Sequence, residues 1–165
     1  MTIIAGTNRP DSRTLTVAKQ YLKLLRDKNQ EVQLFSLMEV KSVMRDEDFV
    51  ALEEKYLIPT DKFLFVMPEY NGTFPGILKL MMDMSDVRKC WWYKKAMLTG
   101  LADGRGGNLR GLEHMTSILN YLRVNVLYNK IPLSKITEEL DLEGQFKTEI
   151  TKSAIAQQIQ EFIDY

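Results

Sequence analysis

The sequence predicts a three-layer α/β/α sandwich around a five-stranded parallel sheet, taken as one unit over residues 1–165. Short apolar runs, clearest at Lys62–Met67, alternate along the chain with segments whose apolar residues recur every three or four positions. Strands joined by helical crossovers must run parallel, which puts helices on both faces of the sheet. The length suffices for one core and not for two ordinary ones, and no repeat, low-complexity tract or linker divides the chain.

Thr2–Ala5 is the first strand, ended by Gly6. Leu15, Ala18, Leu22 and Leu25 then mark a helix within Ser12–Asn29. Glu31–Phe35 alternates Val32 and Leu34 with polar neighbours, as a second strand does. The charged stretch from Ser36 holds a short helix around Asp48–Tyr56 and stops at Pro59. Lys62–Met67 is apolar nearly throughout, which suits a strand buried on both faces, and Pro68 halts it. Pro75 opens a helix whose Ile77–Val87 stretch is apolar on more than one face and so belongs in the core or at an interface. Lys95–Gly100 is the fourth strand. Leu109, Leu112, Thr116, Leu119 and Leu122 line the next helix, Arg123–Tyr128 is the fifth strand, and Ile155, Ile159, Phe162 and Ile163 close the chain as an amphipathic helix. The strand order 2-1-3-4-5 leaves a crevice at the carboxyl ends of strands one and three, faced by the loops after strands one, three and four.

Composition excludes several classes. Basic and acidic residues balance at 22 each, so no overall positive field favours nucleic acid or an anionic membrane surface. No apolar run approaches the ~20 residues of a membrane span, and the first residues lack the pattern of a secretory leader, so the expected location is cytoplasmic. One cysteine and one histidine cannot build an internal disulfide or a Cys/His zinc site.

The first loop, Gly6–Thr14, runs into a helix N-terminus, where free amides and the dipole favour an anion such as phosphate. Thr7, Ser12 and Thr14 offer hydroxyls and Arg9 a charged donor. The loop has too few glycines for a dinucleotide fingerprint or a P-loop, and Ser12 can equally be a plain helix cap. Pro68-Glu69-Tyr70-Asn71-Gly72, after strand three, is a stiffened segment suited to gripping a flat polar ring, although Asn71-Gly72 also reads as an ordinary turn and Tyr70 as a packing residue. The third loop carries Gly104, Gly106, Gly107 and Asn108, which lets backbone approach a ligand or serve as a hinge.

These residues resemble the NAD(P)H-dependent FMN reductases of the flavodoxin-like superfamily, relatives of chromate, quinone and azo-dye reductases. The match lies in Gly-Ser/Thr-x-Arg-x-x-Ser-x-Asn/Thr, here Gly6–Thr14, and in Pro-Glu-Tyr-Asn-Gly-Ser/Thr-x-Pro-x-x-Leu-Lys, here Pro68–Lys79. The resemblance implies that Thr7, Arg9, Ser12 and Thr14 hold the FMN phosphate. It further implies that Pro68, Glu69, Tyr70, Asn71 and Gly72 line the ribityl chain and ring edge, while the loop of Gly104, Gly106 and Asn108 closes the far side. It implies NADPH or NADH as co-substrate, a small-molecule electron acceptor (a quinone, a flavin, an azo compound or a metal oxyanion) and a homodimer or homotetramer. The third loop departs from the Gly-Gly-x-Arg-Ala run frequent in the family, which keeps open a relative without FMN; a flavin-holding electron carrier is the other alternative, disfavoured because flavodoxins are usually strongly acidic and this chain is neutral. No acid, nucleophile or metal ligand is called for. Cys90 reads as a bystander and His114 as a helix-surface or packing residue. Trp91, Trp92 and Tyr93 form an aromatic cluster, and Met81, Met82 and Met84 suggest an interface.

Overall fold

The computed structural model describes residues 1–165. Strands β1 (Thr2–Ala5), β2 (Gln33–Ser36), β3 (Lys62–Pro68), β4 (Lys95–Leu101) and β5 (Asn125–Val126) lie in the order β2-β1-β3-β4-β5, and every pairing is parallel. Strand residues alternate between two cores. Ile3, Ala5, Leu64, Val66, Met97 and Leu101 point into one, covered by α1 (Arg13–Asp27), α6 (Ile136–Glu139) and α7 (Glu149–Asp164). Ile4, Phe63, Phe65, Met67, Ala96 and Leu98 point into the other, covered by α2 (Glu47–Leu52), α3 (Gly76–Met84), α4 (Val87–Cys90) and α5 (Leu109–Tyr121). Burial on both faces is why β3 and β4 are apolar at nearly every position.

Two expected elements are corrected. The fifth strand pairs only at Asn125–Val126, although Val124 and Leu127 on either side are buried. After Leu127 the chain is drawn to α7, where the Asn129 carbonyl accepts from Gln158 Nε2 at 2.9 Å and its amide donates to Glu161 at 2.8 Å. It returns to β4 as a sixth strand, β6 (Ile131–Leu133), so one flank of β4 is shared by two short pieces. The helix expected over Ile77–Val87 breaks after Met84. Ser85 is extended, and the Asp86 carboxylate accepts from the amides of Arg88 and Lys89, which caps a new helix, α4. Met81 and Met82 lie in the core, which accounts for the extra apolar face without an interface.

One buried charge organises this layer. The single π turn Glu53–Leu57 that prolongs α2 places Glu53 fully out of solvent, with Arg45 at 2.6 Å and the Asp86 amide donating to it at 2.6 Å. The opposite layer is keyed by Tyr21 of α1, whose hydroxyl lies 3.0 Å from both Thr99 of β4 and Gln158 of α7. Burial holds that phenol above its usual pKa. The contact locates α1, and with it the loop that precedes it.

Candidate functional site

Ala5, Val66 and Thr99 are register partners across β1, β3 and β4, so the chain leaves all three strands at one end of the sheet. The loop after β1 stays close to it. Thr7 is buried and its hydroxyl lies 2.7 Å from the Tyr70 hydroxyl, while the Arg9 amide donates to Thr7 Oγ1 at 3.3 Å. Ser12 caps α1 by accepting from the Leu15 amide at 3.2 Å, as its plain reading expects. The amides of Asp11, Ser12, Arg13 and Thr14 donate to nothing in the protein. Four unpaired donors at the N-terminus of a 15-residue helix form an anion cradle.

The segment after β3 is held at both edges. The Glu69 amide donates to the Leu101 carbonyl at 2.8 Å, and Tyr70 and Thr73 exchange two backbone hydrogen bonds around Asn71 and Gly72. Both central residues have positive φ, 52° and 82°, the backbone of a type I′ turn that Asn-Gly favours. The Asn71 and Gly72 amides are unpaired. Tyr70 is more than packing, because the Arg9 guanidinium lies 4.2 Å over its ring.

The third loop is bracketed by the chain after β6, with Lys135 N–H bonding the Gly104 carbonyl and Ser134 Oγ the Arg105 carbonyl. Asn108 turns inward. It is buried in a left-handed conformation at φ 64°, and Nδ2 donates to the carbonyls of Met67 and Pro68 at 3.1 and 3.0 Å. Its Oδ1 is buried without a partner, beside Gly111.

Together the loops enclose a cleft of about 640 Å³, within the range of small-ligand sites. Arg9, Ser12, Thr14, Pro68, Glu69, Tyr70 and Asn71 line it. The other expected site residues do not. Thr7 supports Tyr70 from behind, Gly72 sits near Arg110, Gly104 and Gly106 lie on the exposed outer loop, and Asn108 braces β3. Pro10, Asp11, Arg13, Leu101, Ala102, Asp103 and Ile136 complete the lining and were not expected from the sequence. Arg13 is legible in hindsight as the first residue of a capped helix, whereas Ile136 belongs to a one-turn helix with no periodicity to read. Arg13 faces Asp103 at 3.6 Å, which leaves Arg9 as the one cation of the lining without a carboxylate partner.

Of the remaining residues, Cys90 is fully buried, and burial together with the nearby Glu53 pushes its thiol up to about 12. Trp91 is core, 5.0 Å from Phe63, while Trp92 and Tyr93 pack with Arg123 on the surface. His114 is exposed on α5 and bonds Thr73.

An anion cradle beside a ring-sized cleft, at the switch point of a 2-1-3-4-5 sheet, defines a flavodoxin-like nucleotide-binding protein. The free amides, the hydroxyls of Ser12 and Thr14 and the unpaired arginine suit a phosphate monoester, and the proline-bounded segment suits a flat ring, so these residues fit FMN. The chain belongs to the NADPH-dependent FMN reductase family, whose model matches residues 1–138. It is 29% identical over 103 residues to an NAD(P)H-dependent FMN reductase of Pseudomonas aeruginosa, covering 61% of this chain and 56% of that protein. It is 27% identical over 115 residues to a 2-hydroxy-1,4-benzoquinone reductase of a Burkholderia species, covering 65% and 62%. The matched segments thus span less than two thirds of either relative. The fold is similar to that of the flavoenzyme NAD(P)H:(acceptor) oxidoreductase FerB of Paracoccus denitrificans, with a TM-score of 0.81 at 20% identity over 99% of this chain and 94% of the other.

Proposed function

We propose that this protein is an FMN-dependent NAD(P)H oxidoreductase that passes electrons from a reduced nicotinamide to a small-molecule acceptor of the quinone, flavin, azo or metal-oxyanion kind. The observation that carries the reading is the set of unpaired Asp11–Thr14 amides opening, beside Arg9, on the same cleft as Pro68–Asn71. The two relatives' names, an FMN reductase and a benzoquinone reductase, support the same chemistry.

FMN, when bound, supplies the two-electron exchange between nicotinamide and acceptor. The chain's work is holding and orienting. The cradle amides, with Arg9 and the hydroxyls of Ser12 and Thr14, would hold the phosphate. Pro68–Asn71 and the Leu101–Asp103 strand end would bound the ring and shield it from water. Thr7 fixes Tyr70, and Tyr70 in turn carries Arg9, so the two loops act as one support. No side chain needs to transfer a proton on this reading. On this reading residues 1–165 act as one flavin-binding unit in the cytoplasm, assembled as a homodimer or homotetramer.

The test is a spectrum. Protein incubated with FMN and desalted should retain flavin absorbance and bleach when NADPH or NADH is added without oxygen. Colourless protein after desalting counts against the reading. Retained flavin that only a partner reductase can bleach would make the protein an electron carrier instead. Light scattering during gel filtration reads the assembly.

A further inference from the structure

Helix α5 holds the end of β3 and the turn that follows it by one contact each. Asn108, at its start, bonds the Met67 and Pro68 carbonyls in a buried contact. Six residues further along, His114 Nδ1 lies 2.9 Å from Thr73 Oγ1. Thr73 closes the type I′ turn, whose Asn71 lines the cleft and whose Asn71 and Gly72 amides are unpaired. No other side-chain hydrogen bond reaches residues 71–73; Arg110 Nη1 is 3.7 Å from the point a Gly72 Cβ would occupy.

We propose that His114 is a positioning residue for the ring-facing turn: through Thr73 it fixes where the two free amides of Asn71 and Gly72 stand relative to the cleft. This rests on the flavin reading of that cleft. A turn with two left-handed residues is stiff internally but swings as a body about its ends, and a donor that swings contributes little to binding because ordering it costs entropy. One end is held by the sheet through Glu69. The other is held by the His114 bond and, one residue on, by Phe74 buried in the core. A hydroxyl can donate or accept, so the bond forms with either imidazole tautomer. The contact is solvent-exposed, so its effect on global stability is small and its effect on the turn is the one to measure.

The experiment compares wild type with Thr73→Val, His114→Ala, the double variant and His114→Asn, whose amide can take the place of Nδ1. FMN affinity is read by quenching of flavin fluorescence. In the flavin-free protein, the exchange rates of the Tyr70 and Thr73 amides, which close the turn, are read by NMR. Each single loss should raise the Kd for FMN about three- to tenfold. The double variant should be no worse than the worse single, because both remove one link. His114→Asn should return within about twofold of wild type, and the two amides should exchange faster in His114→Ala but not in His114→Asn. Unchanged affinity and exchange in His114→Ala, or single effects that multiply in the double variant, overturn the proposal while the flavin reading stands. Wild-type protein that takes up no FMN overturns both.

Discussion

Arg9→Ala tests the cradle most directly. Arg9 is the only cation of the cleft lining without a carboxylate partner, so its charge is available to a bound phosphate. A hydrogen bond from a charged donor contributes about 1.5–3 kcal/mol. Without ligand the guanidinium lies over the Tyr70 ring, a contact of about 0.5–1 kcal/mol at an exposed site, which would be subtracted if Arg9 had to leave it. Both residues line the same cleft, and where Arg9 bonds the phosphate while still over the ring nothing is subtracted and the full range applies. The expected loss is therefore about 1.5–3 kcal/mol, or roughly 10- to 150-fold in the Kd for FMN. Fluorescence titration at two salt concentrations measures it, and the difference between wild type and variant should narrow at high salt as exposed charges are screened. Riboflavin, which has the ring and no phosphate, is the control and should bind both proteins alike. Equal weakening of FMN and riboflavin would refute the assignment, since Arg9 would then be acting on the ring or on the fold.

Further outcomes follow from the geometry. Gly107→Ala should lower stability by more than about 1–3 kcal/mol in urea unfolding, because Gly107 has φ 55° and a Cβ there would stand 2.5 Å from the Pro132 backbone. Arg45→Ala should lower Tm more than Glu53→Gln does: the first leaves a carboxylate buried without its cation, while the second leaves a half-exposed arginine that water can solvate. Cys90, the only cysteine, should be unreactive to a thiol reagent in native protein at pH 8 and react fully after denaturation. The native thiol stays neutral to about 12, whereas a free one ionises near 9.0, so the stability gained by burying it is complete below pH 9 and declines as pH rises from 9 towards 12. Cys90→Ala should flatten that alkaline limb in denaturant titrations at successive pH values.

Much of this architecture is legible in the sequence because strands buried on both faces leave unbroken apolar runs. Lys62–Met67 and Lys95–Gly100 gave the centre of the sheet directly, and Pro-Glu-Tyr-Asn-Gly-Thr gave the turn. What escaped has physical causes. The fifth strand is divided because Asn129 bonds α7, a long-range contact without a local signal. The break between α3 and α4 hangs on one carboxylate, Asp86, competing for backbone amides. Glu53 looks like any surface glutamate until the π turn rotates it inward against Arg45. Within the cleft, the chemistry of the first loop was readable, but the inward role of Asn108 was not, since an asparagine beside glycines reads equally as a ligand contact or a left-handed hinge.

The division of the outermost strand also bears on how copies of this chain can meet. One rim of the sheet offers a two-residue piece, a detour and a three-residue piece holding Pro132; the other rim is only four residues long. Such rims are poor templates for main-chain pairing with a neighbour, which protects the molecule from joining its sheet edge to edge with another. An association made instead by side chains of the outer layers could be abolished by a single substitution there without disturbing the strands beneath.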